Sequence, residues 1–224
     1  MFSTNNPETI AILGGTGGVG TGFAIRWGRS GHTVIIGSRV RTKAETSVAR
    51  LSKSFPDIAL EAMENREAAQ KGDVVVLTVP AAHQMSTLAS VREALKGKVL
   101  VDATVPLVPP RVGTVQLPPE GSAGKRAQDF LGDEVMVVSA FQNVAADLMK
   151  TDVAIECDVL VSGNKKSARE KVVQLAKDAG VQAWHAGPID NAAAAEALTS
   201  ILIQINKRYP ISHSGIKIVG GSHD

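Results

Sequence analysis

The chain is poor in cysteine and aromatic residues and has almost no excess of charge. Its single cysteine, Cys157, cannot form an internal disulfide, and no Cys and His residues cluster at the spacing of a metal site. The 24 basic and 22 acidic residues nearly cancel, which argues against nucleic acid or an anionic membrane as a partner. These shortages favour a protein of a reducing compartment that binds no metal.

Long apolar segments are also missing. No run approaches the roughly 18 apolar residues of a membrane span, and Met1 to Pro7 lack the basic and apolar regions of a signal peptide. With 224 residues, of which 44% are hydrophobic, the chain is long enough for one sheet-centred core. We therefore expect a cytoplasmic protein that does not enter a membrane.

Short runs rich in Val, Ile and Leu alternate with segments whose apolar residues lie three and four apart. Continuous apolar strands separated by helices are typical of a mainly parallel sheet covered on both faces, so we predict a Rossmann-type, doubly wound α/β fold. The predicted strands are Thr9 to Leu13, Thr33 to Ile36, Val74 to Thr78, Val99 to Val101, Val135 to Ser139 and Val159 to Val161. The predicted helices are Val19 to Arg29, Thr42 to Ser54, His83 to Leu95 and Ser167 to Ala179.

Two segments depart from this alternation. Five prolines between Val105 and Gly121 remove backbone donors, so that stretch is predicted to be a loop. From Ala192 to Lys207 the pattern predicts a strongly apolar helix that Pro210 ends. Because this helix is hydrophobic on several sides, we expect it to be buried in a homodimer contact.

A glycine-rich turn connects the first strand to the first helix. Gly15, Gly17 and Gly20 fit the pattern G-x-G-x-x-G. In dinucleotide-binding proteins the first glycine allows the tight turn, the second lets backbone amides approach a pyrophosphate, and the third lets the helix pack closely. The alternative is a flexible turn without a ligand, but the flanking strand and helix favour dinucleotide binding.

The end of the second strand predicts which dinucleotide is bound. NAD enzymes usually have an acid there, whereas this strand ends in Ser38-Arg39, with Lys43 following. Arg39 can bind a 2′-phosphate and stack on adenine, Ser38 can donate a hydrogen bond, and Lys43 adds charge. We therefore predict NADP(H), with a solvated basic turn as the alternative.

Further cofactor contacts are predicted where the fourth strand ends. Thr78, Val79 and Pro80 follow the strand into the crevice where doubly wound sheets bind ligands, so they are expected to pack against the riboses. His83 is interpreted as a capping or surface residue and His32 as a structural one.

Blocks of sequence along nearly the whole chain resemble the NADPH-dependent reductases of the deazaflavin coenzyme F-420 (F420). Those near the end of the chain are the more specific ones. The blocks include Ile10 to Gly17, Ser38-Arg39 with Lys43, Val76 to Pro80, Val105 to Pro109, Val137 to Phe141, Asp158 to Asn164, Ala186 to Pro188, Glu196 to Thr199 and Gly215 to Ile218.

The resemblance implies direct hydride transfer from the nicotinamide C-4 to the deazaflavin C-5, or the reverse. It also implies that Ala146 lies near the nicotinamide. Familiar members carry a histidine facing the deazaflavin where this chain has Gln142, an amide that can donate to a ring carbonyl but cannot take a proton. The residues that would hold NADP are Thr16, Gly17, Gly18, Val19, Ser38, Arg39 and Lys43.

The expected organisation is an NADP-binding domain over residues 1–187 and a C-terminal helical segment over residues 188–224 that completes the active-site cleft. Two other functions stay open. One is an NADPH-dependent reductase of an imine, ketone or small acid. That reaction would require a proton donor, and the only tyrosine in the sequence, Tyr209, is near its end. The other is a non-catalytic NADP sensor, which would keep the glycines and lose the second ring's pocket.

Overall fold

One eight-stranded sheet with helices on both faces forms the centre of the molecule. The computed structural model describes residues 6–220, so the outer ends of the two predicted domain ranges lie outside the described part. The strands are β1 (Thr9–Leu13), β2 (Thr33–Ser38), β3 (Leu60–Glu64), β4 (Val74–Leu77), β5 (Val99–Asp102), β6 (Met136–Ser139), β7 (Val159–Gly163) and β8 (Ala183–Gly187). The helices are α1 (Gly18–Arg29), α2 (Arg41–Ser54), α3 (Asn65–Lys71), α4 (Gln84–Leu95), α5 (Ala123–Leu131), α6 (Lys166–Asp178) and α7 (Ala192–Arg208).

The strand order is β3-β2-β1-β4-β5-β6-β7-β8. Strands β1 to β6 pair in parallel, β7 joins β6 antiparallel, and β8 runs parallel to β7. The order reverses between β1 and β4, which is the place where doubly wound sheets bind their ligands. The predicted mainly parallel Rossmann-type fold is therefore confirmed.

Two apolar layers cover the faces of the sheet. One face packs residues of α1, α2 and α6 against the strands, with Phe23 and Trp27 stacked at 4.6 Å between ring centroids. The other face packs residues of α3, α4 and α5, including Leu88, Leu95 and Leu131. Central strands are buried on both faces, which explains their uninterrupted apolar sequence.

The six predicted strands and the predicted helices are present, with ends shifted by a few residues. Strand β3 was not predicted because it is a half-exposed edge strand whose sequence, Leu-Glu-Ala-Met-Glu, lacks a run of apolar residues. Helices α3 and α5 were missed because they are short. The N-terminus of α5 also depends on the distant Glu196, whose carboxylate accepts its first two N–H groups.

The proline-rich stretch is irregular from Ala103 to Ser122, as predicted, except for turns. Helix α7 is a full 17-residue helix. The chain after α7 folds back on it, because Ser214 donates its backbone N–H to Asn206 and its hydroxyl to the carbonyl of Leu202. Within residues 6–220, no helix has the length and apolar character that a membrane crossing requires.

Candidate functional site

Close contacts at Gly15 and Gly20 leave no room for side chains at these two positions of the glycine turn. The N–H of Gly15 donates to the carbonyl oxygens of Ile12 and Gly37, at 3.2 and 3.0 Å. A Cβ on Gly20 would lie 2.5 Å from the Cα of Gly15, so the third glycine brings α1 directly against the turn. Gly14, which sequence analysis did not assign, takes the left-handed conformation with φ of 76°.

A cavity of about 280 Å³ lies beside this turn, between the carboxyl ends of β1, β2 and β4. None of its described lining residues is acidic, and Arg39 and Lys43 both border it. A Cβ on Gly17 would meet only the carbonyl oxygen of Gly14, at 3.5 Å, so this position is open to a ligand. The lining residues are Gly14, Thr16, Gly17, Ser38, Arg39, Val40, Lys43, Asn65, Val79, Pro80, His83 and Thr87.

The other residues predicted to bind NADP do not line this cavity. Gly18 borders a second cavity, Val19 packs against the core, and Thr78 donates its hydroxyl to the carbonyl of Leu13 at 3.0 Å. Ala146 lies close to α1, since a Cβ on Gly22 would be 3.4 Å from its carbonyl oxygen. The structure thus brings together Thr16, Gly17, Ser38, Arg39, Lys43, Val79 and Pro80 in one cavity.

Several residues at the cavities were missed by sequence analysis. Asn65 and Thr87 begin or lie within helices that follow β3 and β4, and nothing in their local sequence marks them. Arg50 and Lys150 border the second cavity together with Thr16 and Gly18. Arg50 lies two helical turns after Lys43, a spacing that a helical projection could have revealed.

Arg26 of α1 holds the segment after β6 over the start of that helix. Its guanidinium donates to four carbonyl oxygens of the segment, at distances of 2.7 to 3.2 Å, and burial lowers its pKa. The Nζ of Lys150 consequently lies 3.4 Å from where a Cβ of Gly18 would be. The four carbonyls belong to Leu148, Met149, Thr151 and Val153.

The turn after β6 has an unusual backbone. Phe141 has a positive φ of 74°, which is unfavourable for a residue with a bulky side chain. Its ring packs edge-on against Phe23 and Trp27 of α1, with centroids 4.9 and 6.0 Å away. The cofactor helix and the turn therefore share one aromatic cluster, which fixes where the next residue, Gln142, points.

Gln142 is buried, and both hydrogens of its side-chain amide are used inside the protein. Its Nε2 donates to the carbonyl of Asp102 at 2.9 Å and to the hydroxyl of Ser139 at 2.8 Å. Among residues 6–220 its Oε1 has no hydrogen-bond partner. The sequence suggests that this amide could donate a hydrogen bond to a carbonyl of the deazaflavin ring. That donation would require one of the two internal bonds to break, so Oε1 is the atom left for a ligand.

Helix α7 contacts this turn directly, and the C-terminal segment contacts Cys157 and Asp158 beside it. The hydroxyl of Thr199 donates to the carbonyl of Gln142 at 3.0 Å and to Oδ1 of Asn143 at 3.2 Å. The segment after α7 is fixed to Asp158, which receives the N–H of Ile218 at 2.7 Å. Three separate blocks of the sequence resemblance thus meet at one end of the sheet.

A buried polar network underlies the same end of the sheet. Asp102 is fully buried, accepts hydrogen bonds from Gln84 and from the N–H of Thr104, and has a pKa raised by burial. Glu196 of α7 accepts the N–H groups of Ala123 and Gly124, at 2.6 and 3.0 Å. Burial raises the pKa of Glu196 to about 7, with a smaller contribution from Asp102.

The fold and the acid-free cavity define a protein of the NADP-binding Rossmann class. Residues 9–106 match the family model described as NADP oxidoreductase, coenzyme F420-dependent. The chain is 39% identical over 218 residues to the F420-dependent NADP reductase of Methanocaldococcus jannaschii, covering 93% of this chain and 97% of the relative. It is 40% identical to the F420-dependent NADP reductase of Methanothermobacter thermautotrophicus, covering 93% and 94%. The chain belongs to the family of F420-dependent NADP reductases.

Solved structures agree with this assignment. A protein of Arthrobacter sp. FB24, provisionally assigned as an F420-dependent NADP reductase, superposes with a TM-score of 0.81 at 27% identity, covering 94% of this chain and 99% of that one. A reductive aminase of Aspergillus terreus gives a TM-score of 0.64 at 19% identity over 90% of this chain and 62% of its own. The second likeness concerns the fold alone.

Proposed function

We propose that this protein transfers a hydride between NADP(H) and coenzyme F420. The observation that carries the proposal is the cavity beside the glycine turn, in which Ser38, Arg39 and Lys43 come together without an acidic residue. A carboxylate there would repel a 2′-phosphate, whereas two cations and a hydroxyl suit it. The full-length family relatives supply the second coenzyme.

The NADP residues bind and orient the dinucleotide. The pyrophosphate rests at the N-terminus of α1, where Gly17 leaves the backbone amides accessible and the helix dipole favours negative charge. Ser38, Arg39 and Lys43 hold the 2′-phosphate, and Val79 and Pro80 provide apolar contact. When bound, the nicotinamide and deazaflavin rings supply the hydride donor and acceptor, so the protein needs to align them rather than transfer a proton.

In this proposal the deazaflavin ring binds at the turn that contains Gln142 and Asn143. Thr199 of α7 contacts this turn, residues 215–218 contact the neighbouring Cys157 and Asp158, and Ala146 lies against α1. Gln142 is proposed to contact the deazaflavin through its unpartnered Oε1, which can accept a hydrogen bond from a ring N–H. Phe141 and the apolar residues packed around it bury one side of this turn, which would keep water from that side of a ring bound there.

The reaction is tested by mixing the purified protein anaerobically with oxidised F420 and NADPH and following the loss of the deazaflavin's visible absorbance. A parallel sample contains NADH. Rapid bleaching with NADPH and slow or no bleaching with NADH is the expected result. Tight NADPH binding without bleaching would contradict the F420 assignment and favour a sensor or another acceptor.

The family relationship does not favour the alternatives. The likeness to the reductive aminase is limited to the fold, and the only tyrosine, Tyr209, is 57% exposed beyond the end of α7. A sensor would not require a site for a second ring, whereas the described contacts hold Gln142 and Asn143 in the buried turn proposed for that ring. Both alternatives predict NADPH binding, as the proposed function does. They differ from it in predicting no bleaching of F420.

The finer features of the protein are part of this proposal. The chain is proposed to act in the cytoplasm as a homodimer, with residues 1–187 as the NADP domain and residues 188–224 completing the cleft. Helix α7 exposes Ile201 to 45% of its full area, which supports a contact between copies through this helix. Light scattering after gel filtration should give a dimer mass, and Ile201→Glu should shift it to the monomer.

A further inference from the structure

Asn65 lies beside the residues proposed to bind the 2′-phosphate, although it is distant from them in sequence. Strand β3 pairs with β2 so that Glu64 is opposite Ser38, and Asn65 follows directly. Its side chain is only 6% exposed and borders the same cavity as Ser38 and Arg39. The fold therefore adds an amide to the wall of the adenosine side of the cavity.

The amide oxygen of Asn65 stabilises no neighbouring group by hydrogen bonding in the described part of the chain. Its Oδ1 is enclosed, lies 3.0 Å from where a Cβ of Gly37 would be, and has no hydrogen-bond partner among residues 6–220. Asn65 does not cap α3 either. It is the first residue of the helix, Glu64 is the N-cap, and no side chain makes a capping hydrogen bond there. Enclosing an unpaired polar group opposes folding, so an amide retained here indicates a partner that is supplied by a ligand.

The adenosine half of NADP(H) offers two kinds of polar group to this wall. The 2′-phosphate is served by Arg39, Lys43 and Ser38, which carry charge and a hydroxyl. Adenine offers a 6-amino donor next to a ring-nitrogen acceptor, and an asparagine amide matches both through its oxygen and its N–H. Among residues 6–220 no hydrogen bond holds the Asn65 oxygen, so rotation about the terminal torsion of the side chain can turn Oδ1 and Nδ2 together towards the cavity.

We propose that Asn65 selects the adenine base of NADP(H) by pairing with its 6-amino group and adjacent ring nitrogen. Val79 and Pro80, which border the same cavity, provide apolar surface for the base. This assignment rests on the proposed function only in placing the adenosine half of NADP(H) in this cavity. It makes Asn65 a specificity-determining residue, distinct from the residues that distinguish NADP from NAD.

Three dinucleotides test the proposal by equilibrium binding. NADPH is compared with nicotinamide hypoxanthine dinucleotide phosphate, which has a carbonyl in place of the 6-amino group, and with NADH, which lacks the 2′-phosphate. The wild-type protein should prefer NADPH to the hypoxanthine analogue about tenfold or more, the size expected for an asparagine–adenine pair. Asn65→Leu, which keeps a side chain of four heavy atoms branched at Cγ and removes both polar groups, should abolish this preference and keep the preference for NADPH over NADH.

The matched control is Gln70→Leu, which replaces an exposed amide on the same helix and should bind all three dinucleotides as the wild type does. Thermal unfolding of each variant confirms that α3 has folded. The proposal is overturned if Asn65→Leu keeps the preference for adenine, if the wild type has none, or if the variant loses discrimination against NADH, which would place the amide on the phosphate. Failure of the wild type to bind NADPH would instead overturn the proposed function.

Discussion

Replacing Glu196 by glutamine should remove the pH dependence that this buried carboxyl gives to the free energy of unfolding near neutrality. Burial raises the pKa of Glu196 from 4.5 to about 7, so between these values the folded state holds a proton that the unfolded chain has released. The free energy of unfolding therefore falls as pH rises through this window. At about 1.4 kcal/mol per pKa unit, the fall between about pH 5 and pH 8 amounts to roughly 2 to 3 kcal/mol.

The measurement is urea unfolding of the wild type and of Glu196→Gln at several pH values across the window. The wild type should lose stability relative to the variant by that amount as the pH rises, while part of the slope persists because burial also raises the pKa of Asp102. Glu93→Gln, which changes an exposed carboxylate, serves as the control and should leave the wild-type slope unchanged. Parallel curves for wild type and Glu196→Gln would refute the argument that burial dominates at this site.

Three substitutions test the cofactor site and its support. Arg39→Ala should weaken NADPH binding about tenfold or more, from the loss of a charge-assisted bond. In the same titration NADH binding should fall much less, because NADH loses only the stacking of the guanidinium on adenine. Lys150→Met should weaken NADPH and NADH by the same factor of about five, as expected for an exposed ammonium beside a pyrophosphate; an effect on NADPH alone would be inconsistent with that position. Gly22→Ala should lower the urea midpoint, because the added Cβ would lie 2.6 Å from the Cβ of Met149. The overpacking cost of about 1 to 3 kcal/mol exceeds the gain in helix propensity of about 1 kcal/mol. An unchanged midpoint would show that the segment held by Arg26 yields easily.

The sequence predicted those parts of the site that depend on local pattern. A glycine turn between a buried strand and a helix, and a basic pair at the end of the second strand, are both local features, and the structure brings Gly17, Ser38 and Arg39 to one cavity. Asn65 and Lys150 could not be found in this way because each reaches the cavities through a long-range contact. Strand pairing places Asn65 beside Ser38, and the hydrogen bonds of Arg26 place Lys150 over α1.

The contacts between the two proposed ring sites indicate how one fold aligns two coenzymes. The N-terminus of α1 borders the cavity proposed for the dinucleotide, while Phe23 and Trp27 on the same helix pack against Phe141 of the proposed second site. Helix α7 contacts the second site through Thr199 and, one turn earlier, caps α5 through Glu196. Because rigid helices connect these contacts, a displacement of either ring site would have to break buried hydrogen bonds or aromatic packing. Hydride transfer depends on the distance between two rings, and in the proposed complex this arrangement would hold the two ring sites at a constant distance.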